Sequence, residues 1–246
     1  LGVAVRLEEL RPDAGGFGRG VLLMEYLPGR ALDYREDIDR AAEVFARVHA
    51  LPAADSLILQ SDPVQAIGEE SFGLINRFPD HPLIREKVQL LRYHEKITAL
   101  SENTRGYFSN EEQCIVNTEV NSNNFIVQTE KTYLVDWEKA VVSFRYQDLG
   151  HFVVPTTTLW KSNTVYSEEE KLRFIQSYAQ NMNLGLDVKE LYEKTKILER
   201  TILLRAISWC FMAYYEYTRE DRSLRNEDTF AKIRDYLNDV ESLLSW

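Results

Sequence analysis

Several features that define large classes of protein are scarce or absent in this sequence. Only two of the 246 residues are cysteine, Cys114 and Cys210, which is too few for a disulfide framework and favours buried thiols in a reducing compartment. No run of about 18 apolar residues occurs and no signal-peptide pattern opens the chain, so neither a membrane span nor secretion is expected. A net charge of −10 argues against a nucleic-acid-binding face. Together these absences predict a cytoplasmic globular protein.

Lysine is also missing from the first part of the chain, where Lys87 is the first. A glycine-rich stretch at residues 15–20 looks like a phosphate loop, but no helix follows it to offer an N-terminus to a phosphate. It lies between two strand-like segments, residues 3–10 and 21–27. We therefore interpret it as the turn of a hairpin.

A polar segment followed by an apolar hairpin carries the strongest functional signal. Residues 125–127 and 133–135 are short apolar runs separated by Gln-Thr-Glu-Lys-Thr, which is typical of a tight antiparallel hairpin. The residue entering the first strand and the residue leaving the second lie at the same end, so Asn124 and Asp136 become neighbours. Their amide and carboxylate oxygens are hard ligands that suit Mg²⁺. Glu119 lies five residues before Asn124 and is a candidate to face a substrate hydroxyl.

This order of side chains has two interpretations. A carboxylate, an Asn five residues later and an Asp after a hairpin is the order in which kinases position the acceptor and the metal ions. The alternative is a polar surface loop, since Asn and Ser are ordinary turn residues. The flanking residues favour the first interpretation.

Those flanking residues resemble the aminoglycoside phosphotransferase and choline kinase family. The family pattern is His-Gly-Asp-x-x-x-x-Asn, a hairpin, Ile-Asp-Trp-Glu, and then Asp-Leu at the start of a helix. The chain supplies related elements in the same order: Asn117-Thr118-Glu119, Asn124, Val135-Asp136-Trp137-Glu138 and Asp148-Leu149. Upstream, residues 21–29 resemble the hinge strand of the family, and residues 46–52 resemble the first large helix of its C-lobe.

The resemblance implies an α+β, protein-kinase-like fold with a mostly helical C-lobe and a small catalytic hairpin. Residues 1–28 would be a remnant of the N-terminal sheet and hinge, and residues 29–246 would form the C-lobe. Kinases of this fold carry a Gly-rich loop and a lysine ahead of the hinge, and neither is visible. We therefore expect a fragment that lacks most of the nucleotide-binding lobe. A natural truncation is the alternative, and Arg6 is a candidate to replace the lysine.

Apolar periodicity, prolines and capping residues predict that the rest of the chain is mainly helical. Asp62 is expected to cap one of these helices, and His49 is expected to be a core histidine. The predicted helices cover residues 38–51, 63–78, 82–100, 147–154, a segment opened by Ser167, residues 187–217 and residues 227–244, with an interruption at residues 155–158.

The resemblance further implies a small-molecule phosphotransferase that moves the γ-phosphate of ATP to a hydroxyl, with Mg²⁺ and ATP as cofactors. Asp136 and Asn124 would hold the metal, Glu119 would orient or deprotonate the acceptor, and Asp148 would fasten the loop from within. Adenine would contact the hinge residues Met24, Glu25, Tyr26 and Leu27. The family has Asp where this chain has Glu119 and His where it has Asn117, and both changes bear on turnover.

The identity of the acceptor stays open at the level of sequence. Glu138 and Glu216 are candidates to bind an amine, and Trp160 is a candidate aromatic contact. The aromatic side chains of one predicted helix could form part of an aromatic cage around a quaternary ammonium group, although aromatic residues at helical spacing usually belong to the core. These side chains are Trp209, Phe211, Tyr214, Tyr215 and Tyr217. Amino alcohols, aminoglycoside-like and sugar-like compounds are all compatible.

Two other functions also remain compatible with the sequence. One is a catalytically weak or inactive kinase-like protein that binds nucleotide or a protein partner, suggested by Glu119, Asn117 and the missing lysine. The other is a helical interaction domain whose loop resembles that of a kinase by chance.

Overall fold

The structure is a computed structural model, and it describes residues 2–13, 20–219 and 226–245. The strands are short: β1 Leu7–Arg11, β2 Val21–Met24, β3 Gln113–Val116, β4 Phe125–Val127, β5 Thr132–Leu134 and β6 Val141–Phe144. The helices are α1 Ile38–His49, α2 Pro63–Asn76, α3 Ile84–Asn103, α4 Tyr146–Val153, α5 Pro155–Lys161, α6 Glu168–Met182, α7 Val188–Thr218, α8 Glu227–Asn238 and α9 Val240–Leu243.

The predicted N-terminal hairpin is confirmed by the antiparallel pairing of β1 with β2. Its predicted glycine-rich turn, residues 15–20, lies outside the described residues apart from Gly20. Every side chain of both strands is exposed, including paired Leu10 and Leu22. This hairpin therefore adds little to the core, because stabilisation by burial scales with the apolar area removed from water.

The helical body is assembled around the long helix α7. Helices α2, α3, α4, α6 and α8 all pack against it, while α1 packs against α6. The core beside α1 is aromatic: Phe45 meets Phe125 edge-on with ring centroids 5.7 Å apart and Phe152 edge-on at 5.5 Å. Edge-to-face pairs of this kind add stability beyond their buried area. The hairpin formed by β4 and β5 thus packs against the helical core through Phe125.

Local signals explain most of the helix boundaries. The Asp62 side chain accepts a hydrogen bond from Gln65 N and Pro63 occupies the first turn of α2, which confirms the predicted cap. Ser167 and Glu170 form a capping box at the start of α6. The predicted interruption at residues 155–158 is wrong in one respect: the extended Val154 ends α4, and Pro155 then opens the separate helix α5.

The pairing of β3 with β6 was not predicted, because each strand has only four residues. Its register sets Val116 opposite Val141. The residues that follow β3 and those that precede β6 therefore lie side by side, which brackets the loop around Glu119. The predicted hairpin of β4 and β5 is confirmed, with Phe125 opposite Leu134.

The two cysteines and one of the histidines lie in the core. Cys114 and Cys210 are both free and buried, as predicted. His49 is buried as well, with Nδ1 3.0 Å from the Tyr178 hydroxyl, which confirms it as a core histidine. Within the described ranges, no helix is both long enough and apolar enough to cross a membrane.

Candidate active site

The backbone of the loop after β3 is held by a buried carboxylate on α4. Asp148 is fully buried and accepts hydrogen bonds from Asn117 N and Thr118 N, both at 2.8 Å. His49 Nε2 lies 3.4 Å from the same carboxylate. Two charge-assisted bonds from consecutive backbone amides fix the direction in which the chain leaves β3. The residue predicted to fasten the loop thus lies directly beneath it.

Asn117 links this loop to the end of the β4–β5 hairpin. Its Nδ2 donates to the Asp136 carbonyl oxygen at 2.9 Å, and its Oδ1 accepts from Glu119 N at 3.0 Å. The side chain is fully buried, so both bonds are shielded from water. An amide, with a donor at one end and an acceptor at the other, can therefore make both links from the position where the family has His.

Two residues of the site adopt the left-handed backbone region. Thr118 has φ 67° and Asp136 has φ 63°. A β-branched residue is strained there, and such strain often accompanies functional sites. Thr118 stands where the family pattern has Gly, and its Oγ1 donates to the Lys139 carbonyl oxygen at 3.0 Å. We did not single out Thr118 from the sequence, although the Gly of the pattern was a usable signal.

Asn124 occupies the start of the hairpin, as the spacing predicted. Val135 N donates to its carbonyl oxygen at 2.8 Å, which places the two ends of the hairpin side by side. The Asn124 side chain donates from Nδ2 to the Glu119 carbonyl oxygen. Because the amide nitrogen is used on the backbone, the amide oxygen is the end of the side chain that can turn toward a cation.

Three carboxylates converge beside Asn124. One oxygen from each of Glu119, Asp136 and Glu138 lies within 4.8 Å of the other two. Asp136 and Glu138 are exposed and Glu119 is partly buried. Anionic oxygens this close repel one another unless a cation lies between them, and carboxylate oxygens are ligands that Mg²⁺ accepts. The donor set therefore fits a magnesium ion. The sequence suggested that Glu138 binds an amine group of the substrate. In the structure, its carboxylate belongs to the same cluster as that of Asp136.

A lysine that sequence reasoning missed contacts the proposed catalytic carboxylate. Lys139 Nζ forms an ion pair and hydrogen bond with Glu119 Oε1. Lys139 directly follows Glu138, so the turn that carries the acidic cluster also carries the cation. The signal available in the sequence was only its position next to the Asp-Trp-Glu segment.

Glu119 opens onto a cleft with a volume of about 300 Å³. This size is at the lower end of the range typical for small-molecule sites, ~300–1,000 Å³. Trp160, predicted as a substrate contact, is on its wall next to Trp209, with ring centroids 6.1 Å apart. The cleft is lined by Glu70, Leu74, Glu119, Asn121, Lys139, His151, Thr156, Thr157, Trp160, Arg205, Ala206, Trp209, Cys210 and Tyr236.

A second, smaller cavity of about 120 Å³ shares four of these residues with the cleft, and we call it the chamber. Burial and the nearby Arg205 lower the pKa of His151 to about 4, so its imidazole is neutral at physiological pH. The chamber is lined by Gln60, Ile67, Glu70, Thr118, Lys139, Val141, Gln147, His151, Ile202 and Arg205.

Other predicted site residues lie apart from this cleft. Met24 ends β2 and Tyr26 is 87% exposed, on the hairpin segment predicted to contact adenine. The Arg6 guanidinium pairs with Glu8. Glu216 lies 3.7 Å from Arg77 and is not among the described residues that line the cleft. The predicted aromatic helix also splits, since Phe211 and Tyr217 are buried core residues while Trp209 reaches the cleft.

Solved structures with the same fold come from several small-molecule kinases. A choline/ethanolamine kinase family protein from Mesorhizobium loti superposes with a TM-score of 0.66 at 15% identity, over 99% of this chain and 74% of that one. An ethanolamine kinase from Plasmodium vivax gives 0.63 at 14% identity, over 98% and 70%. Spectinomycin phosphotransferase, in complex with ADP and spectinomycin, gives 0.58 at 13% identity, over 97% and 73%. The expected α+β, protein-kinase-like fold is thereby confirmed.

Comparison of the sequence with family models assigns this chain to a family. No curated protein matches the chain in sequence. A family model described as the phosphotransferase enzyme family matches residues 2–185, which is most of the chain and includes the loop, the hairpin and the start of α4. The chain therefore belongs to the phosphotransferase enzyme family.

Proposed function

We propose that this protein transfers the γ-phosphate of ATP to a hydroxyl group of a small molecule, with Mg²⁺ as the metal. The observation that carries the proposal is the convergence of the Glu119, Asp136 and Glu138 carboxylates within 4.8 Å at the edge of a cleft that Glu119 itself lines. One group of carboxylates then serves both the nucleotide phosphates and the acceptor, as phosphoryl transfer requires.

Asp136 and Asn124 are the proposed metal ligands, and Glu138 is a third candidate. When bound, Mg²⁺ would neutralise charge on the terminal phosphates as it shifts during transfer. The left-handed backbone at Asp136 and its carbonyl bond to Asn117 restrain the main chain from which this side chain projects. The protein therefore holds the ligand in place before the nucleotide arrives, which reduces the reorganisation required at the moment of reaction.

Glu119 is the proposed acceptor-positioning residue. The acceptor oxygen would form a bond to the γ-phosphorus while the bond from phosphorus to the ADP oxygen breaks, and the hydroxyl proton would pass to the Glu119 carboxylate. Two bonds fix the peptide of Glu119: its N–H donates to Asn117 and its carbonyl accepts from Asn124. Glu is one methylene longer than the Asp of the family, so the contact with Lys139 supports it by restraining the longer side chain.

The hinge residues Met24 to Leu27 are the proposed adenine contacts, and residues 1–28 and 29–246 are the proposed division of the chain into an N-lobe remnant and a C-lobe. These assignments are supported by the paired strands β1 and β2 and by the fold shared with the kinases.

The proposal is tested by binding and turnover in the same preparation. We expect Mg-ATP at about one hundred times its Kd to stabilise the protein by ~2–3 kcal/mol in thermal unfolding, and ATP with a chelator to stabilise it much less. Asp136→Asn should remove the metal-dependent part. Glu130→Gln is the matched control, because Glu130 is an exposed carboxylate at the opposite end of the same hairpin. Stabilisation that is independent of metal in the unaltered protein would refute the assignment.

A second function is favoured by one specific contact. The Lys139 ammonium engages the Glu119 carboxylate and occupies an oxygen of the group that would receive the proton of the acceptor. The chain would then be a nucleotide-binding, catalytically weak member of its family. Glu119→Asp distinguishes the two functions: faster transfer in this variant, with unchanged Mg-ATP binding, favours the weak enzyme, whereas a loss of about 10²-fold favours a site adapted to Glu.

A further inference from the structure

The charges that line the cleft are already matched by partners from the protein. Arg205 Nε lies 2.9 Å from Glu70 Oε2, and Lys139 contacts Glu119. The remaining titratable group of the shared wall, His151, is neutral at physiological pH because burial lowers its pKa to about 4. Among the charged side chains that line the cleft, Glu70 and Glu119 balance Lys139 and Arg205, so this lining carries no net charge to attract a cationic acceptor.

The aromatic residues of the cleft pack against one another. Trp160 and Trp209 meet edge to face, with 72° between their planes, and Trp160 also packs on Tyr236 at 6.0 Å. These rings form an apolar part of the cleft wall, whereas the four residues that the cleft shares with the chamber are polar.

The chamber that adjoins these shared polar residues contains two amide oxygens without a hydrogen-bond partner among the described residues. Gln147 is only 5% exposed, and its Oε1 has no hydrogen bond within the part of the chain that the structure describes. The same is true of Gln60 Oε1. Buried polar atoms without a partner destabilise the folded state and commonly mark a place that a ligand or water completes. Both side chains line the chamber next to the site of transfer.

We infer that the acceptor is a neutral, sugar-like polyhydroxyl compound, with its apolar face toward Trp160 and Trp209 and a hydroxyl-bearing arm in the chamber bonded to Gln60 and Gln147. This inference rests on the proposed function and narrows its substrate class. Amides suit hydroxyl groups because each can accept or donate, whereas they add no net charge to hold an ammonium group. The compound presents the hydroxyl between these two ends to Glu119.

The substrate class is tested by binding in the presence of Mg-ADP. The probes are D-ribose, D-glucose and myo-inositol as neutral polyols, choline and ethanolamine as cations, and kanamycin as an aminoglycoside. We expect at least one polyol to bind in calorimetry and to raise the melting temperature, with both simple cations weaker. Tighter binding of choline, ethanolamine or kanamycin than of every polyol would overturn the inference and leave the phosphotransferase proposal standing. Absence of polyol binding in protein that still binds Mg-ADP would also overturn it.

The chamber is tested with Gln147→Leu, which removes the amide at similar volume. We expect the affinity for the polyol that binds to fall roughly tenfold, the loss of about one or two hydrogen bonds, with Mg-ADP affinity unchanged. The melting temperature without ligand should not fall, since an apolar group replaces an unpartnered one. A purely structural role for Gln147 would instead lower the melting temperature and leave the affinity unchanged.

Two further variants supply an alternative to Gln147→Leu and a control for it. Gln60→Leu should weaken the same polyol if Gln147→Leu fails to fold, because the two amides line one chamber. Gln89→Leu is the matched control: Gln89 also carries an amide oxygen without a partner in the described chain, but it lies on α3, bonded to Glu241, away from the cleft. An equal effect of Gln89→Leu and Gln147→Leu would refute the role of the chamber.

Discussion

At the scale of single residues, the carboxylates of Asp148 and Asp136 have different roles in this site. Asp148 is fully buried and satisfied by the backbone amides of Asn117 and Thr118. Asp136 is exposed, in the left-handed region, and belongs to a cluster of carboxylates. The first therefore stabilises the loop and the second is available to a ligand. Substitution by Asn, which removes the charge and keeps the shape, should distinguish the two.

We expect Asp148→Asn to lower the free energy of unfolding by roughly 1.5–3 kcal/mol. The Asn side chain has one acceptor oxygen, so one of the two backbone N–H groups would face an amide nitrogen and lose its bond. The measurement is urea unfolding followed by circular dichroism.

Asp136→Asn is the matched control for that measurement. Asn tolerates the left-handed region well, and the change removes one of three crowded negative charges. We expect its stability to stay within about 0.5 kcal/mol of the unaltered protein, with Mg-ATP binding lost. Equal destabilisation by the two substitutions would contradict this division of duties.

At the scale of elements, the position of α4 depends on a glycine. A Cβ on Gly150 would lie 2.7 Å from Glu199 N and 3.1 Å from Thr195 O, both backbone atoms of α7. Backbone cannot rotate out of the way as a side chain can, so α4 would have to move off α7. Because α4 also carries Asp148 and Gln147, such a movement would reach the loop and the chamber.

Gly150→Ala is therefore expected to cost about 1–3 kcal/mol of stability, as overpacking of a dense core does. Chemical unfolding measures this cost, and thermal shift should show a weaker response to Mg-ATP. Gly73→Ala is the matched control, since its Cβ would meet nothing within 4 Å on α2. There we expect a gain of about 0.5–1 kcal/mol from the better helix former. A neutral Gly150→Ala would show that the α4–α7 contact can relax.

Elements with local signals could be predicted from the sequence. Asp62 and Pro63 together begin α2, and the two apolar runs around a five-residue turn give the hairpin of β4 and β5. The pairing of β3 with β6 could not be read in this way, because it joins two four-residue strands that are distant in the sequence. Periodicity needs longer segments to separate a strand from a loop.

The same distinction holds for the candidate site. Glu119, Asn124 and Asp136 lie in one continuous segment, so their spacing alone predicted that they would come together. The polar walls of the cleft come from helices and loops far apart in the chain, as Gln60 and Arg205 show. Only packing brings such residues together, so the sequence offered no signal for the chamber.

At the scale of the whole molecule, burial holds most of the histidines neutral. The chain has four, and burial lowers the pKa of three of them: His49, His81 and His151. In the unfolded chain these groups titrate near pH 6.5. Below that pH the unfolded state binds more protons than the folded state, so the free energy of unfolding falls as the pH falls. Glu199 opposes this trend, since burial raises its pKa.

We expect His151 to contribute a loss of stability between about pH 7 and pH 5, where most carboxylates are still ionised. A folded-state pKa of about 4 for His151 against 6.5 unfolded corresponds to roughly 2 kcal/mol lost over that interval from this residue. Urea unfolding at several pH values should show that His151→Gln, which removes this titration, gains stability relative to the unaltered protein on acidification. The comparison with the variant is needed because Glu199, whose pKa burial raises to about 7, contributes in the opposite direction by a similar amount. An identical pH dependence in the two proteins would mean that the His151 imidazole becomes protonated within the folded protein.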